Sequence, residues 1–307
     1  MLKINRIIFC CLLIAAHLCA KNGSNGGQPG AYLRMGLGAR ALSMGNTGIA
    51  CSQNGFAPFY NPAGISRLQN RHFALSYSFL ALDRQLHYTG LVIPLKPTAG
   101  IGLSWMHGGV DNIEGRSSTG KADGTYKTGE DVFIMSFANS FHPKFSIGLN
   151  FKILRNELLD LQATGLGFDI GFLFCPNDYI AIGLQFKDIG AGYTWKTQDL
   201  FGDKGGNYTE RFPEIAKFGI ALSQNNFMIC ADAEYSSQED FRAHFGGEYR
   251  FMDLGHLRLG INDRYPTLGG GLTYNFIGKT DTNLDYCVVF DMVGEGETHV
   301  FSWEFKF

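Results

Sequence analysis

From residue 72 onward, apolar side chains recur at every second position in segment after segment. This period narrows the possible folds more than any other feature of the chain. Alternation at two residues marks a strand with one apolar and one polar face. In Lys144–Leu154 one face carries Phe145, Ile147, Leu149, Phe151 and Ile153, and the other Lys144, Ser146, Gly148, Asn150 and Lys152. In Thr164–Phe174 the apolar set Leu166, Phe168, Ile170, Phe172 and Phe174 opposes Gly165, Gly167, Asp169 and Gly171. About fourteen such segments can be counted, near 72–80, 86–94, 98–107, 131–141, 144–154, 164–174, 178–187, 214–223, 226–236, 242–251, 254–262, 266–276, 282–292 and 298–307. Segment 131–141 alternates least clearly. Most run 9–11 residues, the length a tilted strand needs to cross a bilayer.

The connections sort by parity. The even ones are short, such as Leu95–Pro97, His142–Pro143 and Gln224–Asn225, whereas the two longest, 108–130 and 188–213, are both odd. Membrane barrels have short turns at one rim and long loops at the other. The polar face bears Lys152, Asp169, Lys187, Asp232, Glu234, Glu248, Arg250, Arg258, Asp285 and Glu304. About fourteen strands enclose more space than side chains alone fill, so apolar-out with a polar lumen is the consistent solution. Closure also removes the exposed edges of such aromatic strands. Glycine on the lumen face leaves room for something inside. The expected fold is therefore all-β: a transmembrane antiparallel β-barrel of about fourteen strands, residues 72–307, with residues 21–71 as an N-terminal plug inside the lumen.

Composition excludes other classes. Apolar residues make up 45% and the net charge is −2, which is incompatible with disorder and gives no basic excess for nucleic acid. Nothing after residue 20 approaches about 18 unbroken apolar residues, so no helix is expected to span a membrane. Lys3 and Arg6 precede the apolar run Ile7–Ala16, the pattern of a signal peptide over residues 1–20. Export to the outer membrane follows as the expected location. Beyond the leader lie Cys51, Cys175, Cys230 and Cys287, none in a metal-ligand spacing. They read as isolated small residues, although an exported protein can pair them. No metal or cofactor is expected. His87, His107, His244 and His256 sit in strands without a recognisable catalytic partner motif, so no enzyme is expected.

Residues 21–71 do not alternate. Ala39, Ala41, Leu42 and Met44 suit one short helix that Gly45 can stop, and Pro62 pushes Asn61 out of helical geometry. The stretch GLGARALSMGNTGIA, holding Gly36, Gly38, Ala39, Arg40, Ala41, Met44 and Gly45, is followed by FYNPAGIS, holding Asn61, Pro62, Ala63 and Gly64. This pair of motifs resembles the N-terminal signature of the PorV/PorQ family of outer-membrane proteins, related to the FadL-type hydrophobic-compound channels. The resemblance implies a fourteen-stranded barrel with the N-terminal segment folded inside. Ser52-Gln53-Asn54-Gly55 departs from it, since the family commonly has an acidic stretch there. The C-terminal aromatics Phe301, Trp303, Phe305 and Phe307 are similar to the signal read by the barrel assembly machinery.

Two functions follow as expectations. PorV-like proteins serve type IX secretion, so the resemblance first implies a non-enzymatic docking or shuttle component, with secreted cargo or a translocon as partner and loops 108–130 and 188–213 as contacts. FadL-like proteins imply instead passive transport of fatty acids or other hydrophobic compounds. Leu37, Leu42, Ile49, Phe56, Phe59 and Tyr60 are the candidates to line an apolar pocket, the alternative being that they pack the plug in place. Arg40 is expected to pair with a lumen carboxylate such as Asp169 or Glu248. Tyr193 and Trp195 read either as an aromatic girdle in contact with membrane lipid or as a partner contact.

Overall fold

A computed structural model describes residues 27–307 apart from 160, 239–240, 253, 277–279 and 291–295. The expected signal peptide lies outside the described residues. Among the described residues sixteen strands are present: β1 (His72–Phe79), β2 (Arg84–Leu95), β3 (Ala99–Arg116), β4 (Ala122–His142), β5 (Phe145–Leu158), β6 (Leu161–Asn177), β7 (Ile180–Ile189), β8 (Gly192–Lys196), β9 (Asn207–Arg211), β10 (Ile215–Gln224), β11 (Phe227–Ser236), β12 (Arg242–Phe251), β13 (Gly255–Asn262), β14 (Tyr265–Phe276), β15 (Thr280–Val289) and β16 (Thr298–Lys306). Fourteen of them close an antiparallel ring, with β1 pairing β16 and β7 pairing β10 across the inserted hairpin β8–β9. The aromatic last strand thus forms the closing seam, with Trp303 opposite Leu75 and Phe305 opposite Phe73.

The alternation resolves as a polar interior. Leu103 and Leu259 are 59% and 65% exposed on the outer face, whereas Lys152 and Glu234 are 1% and 3% exposed on the inner. Of the charged residues placed on the polar face, all are buried inside except Arg250, which is exposed near the short-turn rim. A continuous apolar outer band around a polar lumen is the arrangement that lipid demands.

Two sequence readings of the connections are corrected. Residues 108–130, read as a loop, extend β3 and β4 into a long hairpin that turns at 117–121. Residues 188–213, also read as loop, contain the hairpin β8–β9. The weak alternation of 131–141 arises because Val132 and Ile134 face inward yet are apolar. They pack against Tyr32, Leu33 and Phe59 of the N-terminal segment.

That segment lies within the ring. Helix α1 (Ala39–Ser43) contacts β13, β14, β15 and β16, while the 3-10 turn Pro62–Arg67 contacts β2, β3, β4, β5 and β6 on the other side. Helix α2 (Ala57–Tyr60) joins them. Glycine explains how the backbone comes so close. Gly246 and Gly260 face each other across β12–β13, and a β-carbon on either would strike the Met44–Gly45 backbone. Gly148 and Gly171 face each other across β5–β6, where Asn61, Pro62 and Ala63 sit. Gly183 and Gly219 face each other across β7–β10, where Ile49 sits.

Candidate functional site

The lumen wall holds the segment by its backbone. Asp232 accepts the N–H groups of Gly48 and Ile49 at 2.7 and 3.1 Å. Glu304 accepts from Gly55 at 2.8 Å, Ser302 from Ala39 at 3.0 Å and Thr267 from Gly45 at 3.0 Å. Asn150 donates to the Pro58 carbonyl at 2.7 Å. An irregular segment away from water needs such partners for its peptide groups. Asn61 is extended, so Pro62 can start the 3-10 turn. Its side chain accepts from Ala63 N–H at 3.1 Å and donates to the carbonyls of Ile49 at 2.8 Å and Phe172 at 3.0 Å. Gly36, Gly38 and Gly45 all adopt positive φ, and Gly45 directly follows α1 and its cap Met44. Gly64 packs where a β-carbon would meet the Ser52 carbonyl.

Ion pairs fix the inner wall. Arg40 grips Glu248 with Nε to Oε2 at 3.1 Å and Nη2 to Oε1 at 3.2 Å. Glu248 also takes Arg258 at 2.6 Å, and Arg258 reaches Asp285 at 2.7 Å. Asp169, the other expected partner of Arg40, is held instead by Lys152 at 2.6 Å.

The fourteen-stranded wall is broken at one place among the described residues. Below Phe168, β6 pairs with β7; above Gly165 it pairs with β8 through Thr164–Thr194 and Ala163–Trp195. Gly165, Leu166 and Gly167 have no partner on that edge. The cause is a local reversal of β7. Asp188 and Gly190 take positive φ, and Lys187 and Asp188 are both buried within, where a regular strand would turn one of them outward. Lys152 holds the Asp188 carboxylate at 2.7 Å, and Asp169 accepts the Asp188 N–H at 2.9 Å. The chain then crosses the inner side of β6, where a β-carbon on Gly165 or Gly167 would meet Gly192 or Ala191.

This break forms a recess of about 820 Å³. Its mouth carries Ile153 and Leu166, which are exposed on the lipid-facing surface. Its floor carries Ala191 and Phe212, which belong to one apolar cluster with Tyr32, Leu33, Leu37, Phe56, Phe59, Tyr60 and Tyr193. A second cavity of about 600 Å³ lies toward the short-turn rim between segment and wall, lined by polar groups including Arg40, Glu248 and Arg258.

The six residues expected to line an apolar pocket do not line either of these larger cavities. Leu37, Leu42, Ile49, Phe56, Phe59 and Tyr60 are buried and packed. The Tyr60 hydroxyl closes a turn, 2.8 Å from the Leu37 carbonyl and 2.7 Å from Asn46 Oδ1. Tyr193 and Trp195 form no girdle. Tyr193 is fully buried, its ring edge-on to Phe212 and its hydroxyl donating to Glu130 at 2.7 Å, and Trp195 packs against the same inner cluster. Sequence reading missed the break; its signal was Gly190-Ala191-Gly192 opposite Gly165 and Gly167, small residues where strands should pair side chains. Among the strand histidines, His244 reaches the Gly45 carbonyl at 3.1 Å and His107 meets Asp131 at 2.9 Å.

No known family profile and no curated protein matches the chain. Solved structures do. The Pseudomonas putida toluene transporter TodX superposes with a TM-score of 0.63 at 14% identity, covering 88% of this chain and 98% of that one. The Ralstonia pickettii toluene transporter TbuX gives 0.58 at 16% identity, covering 89% and 98%. A Pseudomonas aeruginosa FadL homologue gives 0.60 at 13% identity, covering 88% and 97%. The fold is thus that of the FadL-type barrels.

Proposed function

We propose that the chain is an outer-membrane channel for the passive passage of small hydrophobic compounds. The carrying observation is the wall break: a recess, lined also by Thr164, Thr194, Thr209, Arg211 and Glu214, leads from the lipid-facing Leu166 and Ile153 to Ala191 and Phe212, which pack in one apolar cluster with Tyr32, Phe59 and Tyr60. A solute that partitions into the membrane can enter sideways there without crossing the polar lumen mouth. The likeness to transporters of toluene supports this reading at the level of fold. The inner segment, fixed by its Gly36–Gly45 and Asn61–Gly64 motifs, closes the route in this conformation, and the C-terminal aromatics serve assembly into the membrane. The comparisons favour this reading over the docking role in secretion.

The test is uptake. Cells carrying the protein should accumulate labelled toluene or oleate faster than cells without it. Thr209 is exposed and lines the recess, so Thr209→Trp narrows the recess without disturbing the core. It should slow uptake, since a narrowed pocket loses ligand space. Uptake equal to that of cells lacking the protein would overturn the function; uptake unaffected by Thr209→Trp would overturn the route.

A further inference from the structure

Strand β11 turns Met228, Cys230, Asp232 and Glu234 toward the lumen. Two contacts lay the inner segment along it. Asp232 holds Gly48 and Ile49 by their N–H groups. Arg40 donates to Met228 Sδ at 3.6 Å and to the Cys51 carbonyl at 3.4 Å. One step from Asp232 toward Met228 is Cys230, and two residues on from Ile49 is Cys51. The two cysteines pack in one apolar cluster with Met44, Ala50 and Ala221. The other thiols lie elsewhere: Cys287 packs with Ala39, Leu42 and Val300, and Cys175 lines the polar cavity near the short-turn rim.

We propose that Cys51 and Cys230 are a disulfide site that ties the inner segment covalently to the barrel wall. The chemistry is thiol–disulfide exchange with a disulfide-bearing oxidant of the exporting compartment. One cysteine thiolate attacks the oxidant's disulfide and gives a mixed disulfide. The second thiolate attacks that bond, forming Sγ–Sγ and releasing the oxidant as its dithiol. The two cysteines lose two electrons and two protons, and the oxidant takes up both. The Asp232 contact positions the pair, and Cys51 also borders the polar cavity, which gives a small oxidant an approach after folding. The link fixes the segment where it meets β11 and leaves Ala31–Leu37, beside the wall break, untied.

The test uses the full chain in its membrane. Membranes are treated with diamide, denatured in N-ethylmaleimide, digested with trypsin without reductant, and mapped by mass spectrometry. The expected result is a joined pair of tryptic peptides 41–67 and 218–242, split by dithiothreitol, with Cys175 and Cys287 alkylated. A Cys175→Ser/Cys287→Ser double variant should give the same joined pair. Full alkylation of Cys51 and Cys230 after diamide would overturn the proposal, as would Cys51 joined to Cys175. Cys230→Ser should leave Cys51 alkylated; Cys51 joining another cysteine in that variant would show that proximity is not confined to this pair and overturn it too. The wild-type map decides alone if that variant does not assemble.

Discussion

Replacing Lys152 by Met should cost more than any other single truncation on the inner wall. The ammonium lies 2.6 Å from Asp169 and 2.7 Å from Asp188, and all three side chains are at most 1% exposed. Methionine keeps most of the volume, so the loss is one of charge rather than packing. Removing one member of a buried ion pair typically costs about 3–5 kcal/mol, because the remaining charge stays desolvated and unpaired. Here two carboxylates remain, and they fare differently. Asp169 keeps the Asn150 amide at 2.8 Å and the Asp188 N–H at 2.9 Å. The Asp188 carboxylate has Lys152 as its one donor among the described residues. Most of the penalty therefore falls on Asp188. Adding Asp188→Asn to Lys152→Met should return at least half of the loss, and adding Asp169→Asn should return less. Urea titration of vesicle-inserted protein, followed by tryptophan fluorescence, measures each difference as a midpoint shift at constant slope. A Lys152→Met cost below about 1 kcal/mol, the range of an exposed pair, would show that water reaches the triad. Equal rescue by the two Asn substitutions would refute the unequal share.

Other substitutions probe the inner segment. Gly260→Val should expel it, because the new side chain meets the backbone of Met44 and Gly45, which cannot rotate away; protease cleavage within 27–68 and a larger single-channel conductance should appear, whereas Gly124→Val, in ordinary contact with Tyr126 at 3.6 Å, should change neither. Asn61→Ala removes the side-chain donor to the buried carbonyl of Ile49 and to that of Phe172 and should lower stability by about 1–3 kcal/mol, read as an earlier urea midpoint.

The barrel was legible because lipid imposes one rule on every strand. Leu, Phe and Ile must face out at every second position, and that rule survives in each segment whatever lies inside. Segment 131–141 blurred because Val132 and Ile134 obey a different constraint, the apolar residues of the inner segment. The long hairpin of β3 and β4 was hidden for the opposite reason: above the membrane, strands owe their register to their own hydrogen bonds, and residues such as Glu114, Arg116 and Asp123 show no sided pattern. Arg40 was legible as an anchor, since a buried cation needs a carboxylate, but the choice of Glu248 over Asp169 depends on which strand lies beneath α1. The wall break left only small residues, Gly165, Gly167 and Gly190-Ala191-Gly192, as its trace in the sequence. It comes from three-dimensional pairing of Asp188 with Lys152 and Asp169, on strands far apart in sequence.

The inner segment is held unevenly, and this unevenness says which part can move. From Ala39 to Gly55 its backbone is gripped by directional donors and acceptors: Ser302, Thr267, Asp232, His244 and Glu304. From Ala31 to Leu37, beside the wall break, apolar contacts set Tyr32 and Leu33 in one cluster with Phe59, Tyr193 and Phe212. Among the described residues, one polar tie from the wall there is Lys187 Nζ donating to the Leu33 carbonyl at 3.0 Å. Hydrogen bonds fix a position, whereas apolar contacts tolerate a shift and can be replaced by an apolar solute. An opening of the route from the recess therefore displaces Ala31–Leu37 and leaves Gly45–Ile49 in place. Amide exchange in lipid reports this directly, because local opening sets the rate. The amides of Gly45, Gly48 and Ile49 should exchange far more slowly than those of Tyr32, Leu33 and Met35, and added toluene should accelerate the second group alone. Equal acceleration of both groups would mean that the segment moves as one body, and that the polar contacts of the β11–β16 wall do not anchor it.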